Sequence, residues 1–115
     1  MKLNALDAAV REEARMSIQR ITPIHPGVYI RELLDELRIS QYRFARDVGV
    51  SPMRVNLVVN GKRPVTAELA LRLGRYFGQD PRYWLNLQSR YDLDSAEDAF
   101  AEQVEQEVRP LSTVS

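Results

Sequence analysis

Apolar residues recur along this chain with the spacing of helices, and no stretch shows the alternation of a strand. Val28, Ile30, Leu33, Leu34 and Leu37 share one side of a helix predicted over about residues 26–37, with Arg31, Glu32, Asp35 and Glu36 on the wet side. Ser40 is a good N-cap for a second helix whose inner face carries Phe44, Ala45 and Val48, and Gly49 stops it. Ser51 caps a third, Pro52 occupies its first position, and Val55, Val58 and Val59 form its buried stripe. Asn60-Gly61 ends it, both residues tolerating the left-handed conformation. After the basic loop Lys62-Arg63-Pro64-Val65, Thr66 caps a fourth helix over 67–77, with Leu69, Ala70, Leu73, Tyr76 and Phe77 inward and Gly78 at its end. Asp80-Pro81 repeats the cap-plus-proline device and opens a fifth helix through about Tyr91.

Both flanks read differently. Residues 1–21 predict a weak, poorly capped amphipathic helix through Leu3, Leu6, Val10 and Ala14, and the two prolines of Thr22-Pro23-Ile24-His25-Pro26-Gly27 make a linker after it. At the other end, Ser95 is expected to cap a separate acidic segment over 96–108. Its few apolar residues (Ala99, Phe100, Val104) make it helical only when docked. The tail 109–115 is too poor in apolar residues to order itself. The expected organisation is an N-terminal extension (1–23), a five-helix all-α bundle (24–93) and an acidic C-terminal extension (94–115).

The second and third helices carry the most specific signal. A glutamine, an alanine four residues on, a glycine four further and then a serine-capped helix is the pattern of a DNA-binding helix-turn-helix. With Val55 facing the core, steps of about 100° put Met53, Leu57 and Asn60 roughly opposite, Asn56 on one flank and Arg54 on the other. Two apolar residues on the outside of a short helix suit a major groove, where they meet thymine methyls, although single exposed apolar residues are common on any surface. The candidate base-reading set is therefore Pro52, Met53, Arg54, Asn56 and Leu57, with a phosphate contact a nearly equal alternative for Arg54. The candidate phosphate set is Gln41, Ser51, Asn60, Lys62 and Arg63. Arg43 and Arg46 are weaker members, better read as solvated side chains.

Charge separates along the chain although the formal net charge is zero. Residues 38–90 hold ten Lys/Arg against three acids, whereas residues 92–107 hold seven acids and no base. A basic middle suits phosphates, and an acidic end suits some other contact. With no cysteine there is no disulfide framework, thiolate metal site or cysteine nucleophile. His25, the single histidine, has no companions to ligate a metal and reads as a loop residue. The acid pairs Glu12-Glu13 and Asp35-Glu36 are sequence neighbours that diverge on a helix, so they do not form a catalytic pair. No cofactor, metal or small-molecule substrate is expected, and an enzyme is the weakest reading. No apolar run approaches the roughly 20 residues that span a bilayer, and the N-terminus lacks a secretory core, which predicts a cytoplasmic protein. The fifth helix has more apolar residues than one core face needs. Trp84, Leu87 and Tyr91 are candidates for a two-fold interface, with the core the stronger reading for Trp84, since paired recognition helices multiply affinity.

HPGVYIRELLDEL, SQYRFARDVGVSPMRVNLVVNGKRPVTAELALRLGRYFG and DPRYWLNLQSRYDL together resemble the HigA-type antitoxins of the phage-repressor-like (XRE) helix-turn-helix class, over about residues 24–93. The resemblance implies a lambda-repressor-like bundle acting as a homodimeric repressor of its own toxin–antitoxin operon. It also implies that the protein binds and neutralises a RelE-like, mRNA-cleaving toxin. Position by position, it places Gln41, Ser51, Pro52, Met53, Arg54, Asn56, Leu57, Asn60, Lys62 and Arg63 on the DNA. Pro52 and Leu57 depart from the polar residues often found there. Residues 1–23 and the acidic tail lie outside the match, and both are candidate toxin contacts. The rivals are a stand-alone regulator without a toxin and a protein–protein adaptor that keeps the fold without binding DNA.

Overall fold

A computed structural model describes residues 22–112. The helix expected over residues 1–21 lies outside the described residues. Five helices follow in order: α1 (Pro26–Leu37), α2 (Gln41–Val48), α3 (Pro52–Val59), α4 (Ala67–Phe77) and α5 (Pro81–Glu107). Among the described residues there is no strand, and no helix is long and apolar enough to cross a membrane. α3 packs against α1 and α2, α4 against α2, and α5 lies along α4 and touches α1. They enclose one apolar core built from Ile30, Leu34, Phe44, Ala45, Val48, Val55, Val58, Val59, Leu69, Leu73 and Trp84.

The expected caps are in place. Ser40, Ser51 and Thr66 each accept a hydrogen bond from the backbone N–H three residues on, at 3.0, 3.2 and 3.2 Å. Such caps satisfy donors that a helix start leaves open. Gly49 closes α2 at φ 72°, a left-handed conformation that glycine adopts without steric cost. At the end of α3 only Gly61 turns left-handed, since Asn60 keeps φ −89°. α1 stops without a glycine: Arg38 itself takes φ 56°.

Three expectations change. The segment 22–27 is not a loose linker, because His25 is buried and its Nδ1 accepts the Gly27 N–H at 2.9 Å as the N-cap of α1. Gly27 then lets α1 approach the end of α3. A Cβ there would overlap the Val58 carbonyl oxygen and come within 2.8 Å of that of Val59. Gly27→Ala is accordingly expected to cost about 1–3 kcal/mol, the range for overpacked sites, read as a lowered melting temperature. Val28 and Leu37, assigned to the inner side of α1, are exposed.

The third change is larger. Ser95 caps nothing, and the fifth helix runs unbroken to Glu107, 27 residues and about 40 Å long. No glycine or proline interrupts Asp92-Leu93-Asp94-Ser95, so nothing stops propagation. Two links bridge the expected gap: Gln88 Nε2 donates to Asp92 Oδ1 at 2.8 Å, and Arg90 lies 3.9 Å from Asp94. The acidic extension is thus the outer half of α5, where Leu93 and Phe100 are exposed.

Candidate nucleic-acid interface

Burial sorts α3 as the helical wheel predicts. Val55, Val58 and Val59 are enclosed, while Ser51, Pro52, Met53, Asn56 and Asn60 are exposed and Leu57 is half-buried. Met53 is 75% exposed. The outer side of α3 is therefore a ridge that no other described residue covers, with Met53 on it. Gln41 begins α2, half-buried. Lys62 and Arg63 follow the Gly61 turn, exposed and in no ion pair among the described residues.

The basic rim is held from three directions. Lys62 and Arg63 both donate their backbone N–H to the Leu57 carbonyl, at 2.7 and 3.3 Å, tying the rim to the ridge. Arg31 of α1 donates to Asn60 Oδ1 at 2.6 Å, so Asn60 meets solvent with one acceptor engaged. Gln88, buried inside α5, accepts the Val65 N–H on Oε1 at 2.7 Å and anchors the far end of the loop. A buried donor left without a partner costs about 1–3 kcal/mol, so this amide fixes the path of the loop.

His25 is the pin beneath the rim. Its ring meets the Tyr91 ring edge-on at 4.9 Å and lies within 3.6 Å of where a Cβ on Gly61 would stand. Burial holds its imidazole below the ordinary 6.5, against a backbone hydrogen bond at Arg63 and the charge of Asp92, which both raise it. Because the folded value is depressed, the unfolded chain takes the proton first. Stability is complete above 6.5 and falls as pH drops through it. Protonation also removes the Nδ1 acceptor that caps α1. Melting at pH 7.5 and 5.5 should show a loss that His25→Asn, which keeps a capping acceptor without titrating there, largely removes.

Other candidates are engaged elsewhere. Arg54 turns back toward α4, where Glu68 Oε1 lies 3.1 Å from Nη1 and Thr66 Oγ1 lies 3.2 Å from Nη2. Arg43 lies 3.4 Å from Asp47, which also accepts the Tyr76 hydroxyl at 2.8 Å. Trp84 is 0% exposed and packs between Phe77 and Tyr83, so it has no surface to offer a second subunit and leaves the interface set. Leu87 and Tyr91 are half-buried, Tyr91 against His25.

The fixing residues His25, Gln88, Arg31 and Glu68 were absent from the candidate set. Gln88 had a visible signal: it lies four residues after Trp84, on the inward face of the same helix. The partners of Arg31 and Glu68 are 29 and 14 residues away, and nothing local indicates them.

A helix-turn-helix family model matches residues 30–84. The virulence-associated protein I of Dichelobacter nodosus is 48% identical over 75 residues, which cover 64% of this chain and 69% of that protein. An addiction module antidote protein of a HigA family from Coxiella burnetii superposes with a TM-score of 0.77 at 40% identity, over 78% of this chain and 99% of that one. Pseudomonas aeruginosa antitoxin HigA, solved with the higBA promoter, gives 0.75 at 46% identity, over 77% and 98%. The capped helix pair, the uncovered ridge and these relatives agree: the chain belongs to the HigA-type antitoxins of the phage-repressor-like helix-turn-helix class.

Proposed function

We propose that the protein is the DNA-binding autorepressor of a cytoplasmic type II toxin–antitoxin operon, and that it also binds and neutralises a RelE-like, mRNA-cleaving toxin. The observation that carries the DNA half is the ridge of α3: Met53 and Asn56 are exposed and Leu57 half-buried on the side away from Val55, Val58 and Val59, with Lys62 and Arg63 beside them. A related antitoxin of the same fold was solved with its promoter, which supports the reading. In it, α3 enters the major groove, Met53 and Leu57 meet thymine methyls, and Asn56 faces a base edge. Gln41, Ser51, Asn60, Lys62 and Arg63 line the adjacent phosphates, with Pro52 at the start of the helix.

A homodimer presenting two α3 helices to successive grooves completes the reading, with Leu87 and Tyr91 of α5 at the contact. Toxin contact is assigned to the regions beyond the helix-turn-helix match, residues 1–23 or the acidic outer half of α5. Co-expression with the neighbouring gene tests that half. Co-purification of a small basic protein supports it, and its absence leaves a stand-alone regulator.

Arg63→Ala tests the phosphate rim. Each phosphate contact contributes about −0.9 to the slope of log affinity against log salt. The variant should weaken binding to all duplexes alike and flatten the slope by about one unit per copy. An unchanged slope would remove Arg63 from the set.

A further inference from the structure

Arg54 sits in the first turn of α3, yet its guanidinium is held from α4. Its stem lines the gap inside the core with Val50 and Leu69, and its side chain is only 30% exposed. Two of its N–H groups are taken, by Glu68 Oε1 at 3.1 Å and by Thr66 Oγ1 at 3.2 Å. The same Glu68 carboxylate faces Arg72, with Oε2 4.0 Å from Nη2, and Arg72 Nη1 in turn donates to the Val48 carbonyl at 2.9 Å, beside the Gly49 turn. One acid thus stands between two arginines. One of them belongs to the recognition helix and the other holds the turn that precedes it.

Stability does not account for the arrangement. Glu68 is 60% exposed, and surface pairs of this kind contribute about 0–1 kcal/mol. What the pair does is restrict a side chain that would otherwise sample many rotamers. A guanidinium has five N–H donors in a rigid fork, so two can be tied back while the rest stay available. An arginine already ordered loses less freedom on meeting DNA, and it meets it from a single direction.

We propose that Glu68 is a specificity-determining positioning residue: it holds the Arg54 guanidinium at the edge of the recognition helix, so that Arg54 makes a base contact from a fixed direction instead of an indiscriminate phosphate contact. The proposal rests on the reading of α3 as the groove-entering helix. It assigns the discrimination between the protein's own promoter and other DNA partly to a residue that touches no nucleotide. Thr66 shares the task, and Arg72 centres the carboxylate.

A double-mutant cycle read on two duplexes tests this. One duplex spans the region directly upstream of the gene, and the other is unrelated sequence of the same length. The readout is the ratio of the two affinities. Glu68→Ala should lower that ratio about tenfold, chiefly by tightening binding to unrelated DNA, with little change in melting temperature. Glu68→Gln, which keeps an oxygen acceptor for Arg54, should retain most of the ratio. In an Arg54→Ala background, Glu68→Ala should lower it no further. An unchanged ratio in Glu68→Ala, or an equal loss with and without Arg54, overturns the proposal. A wild-type protein that binds both duplexes alike, or neither, contradicts the DNA reading itself and this proposal with it. The two failures are therefore separable.

Discussion

Met53→Asp is expected to weaken binding to the promoter duplex more than about 100-fold while leaving the melting temperature unchanged. Met53 is 75% exposed, so its removal costs the core nothing, and surface substitutions usually shift stability by less than about 0.5 kcal/mol. On the duplex the same change places a carboxylate between two rows of phosphates, where like charges brought together cost several kcal/mol. About 1.4 kcal/mol is already tenfold in affinity, and a dimer carries the change twice. Anisotropy titration beside a thermal melt reads both quantities. A variant that binds like the wild type would place Met53 outside the groove.

Trp84→Ala is expected to act in the opposite sense, on stability first. Complete burial of the largest side chain in the core predicts a loss of about 3–5 kcal/mol. Against a total of about 5–15 kcal/mol, that loss leaves the chain marginal. For a domain of this size each kcal/mol lowers the melting temperature by about 4–8 °C, so the fall should exceed about 12 °C by circular dichroism. Trp84→Phe should cost less than half as much. It keeps a ring beside Phe77 and removes the indole N–H, which is buried with no partner among the described residues. Because Trp84 lies inside one subunit, the fall should not depend on protein concentration. A concentration-dependent fall would return Trp84 to a subunit interface.

The helix-turn-helix was legible because its signals are local. Ser40, Ser51 and Thr66 cap within three residues, Gly49 stops α2 where it stands, and the valines of α3 repeat at the helical period. Two local rules misled. Serine is a common cap, yet Ser95 lies in a chain with no breaker before it, so the helix already under way prevailed. Two prolines suggested a linker at residues 22–27, although Pro26 takes the first helical position, where its missing N–H costs nothing.

The rest of the site is long-range. His25 reaches Tyr91, Gln88 reaches Val65 and Arg31 reaches Asn60, and each contact depends on how α1, α3 and α5 meet. Periodicity could place these residues on a helix face but not name their partners. Trp84 shows the same limit: an aromatic residue on a helix rich in apolar side chains favours the core, as found, but only packing excludes an interface.

The most direct test of the account is a dimethyl sulfate footprint of the protein on the duplex upstream of its gene. Guanine N7 lies in the major groove and adenine N3 in the minor groove. The account predicts two patches of guanine N7 protection about 10 base pairs apart, one for each α3 of a dimer, both lost in Met53→Asp. A stable complex in which guanine N7 stays fully reactive would contradict it.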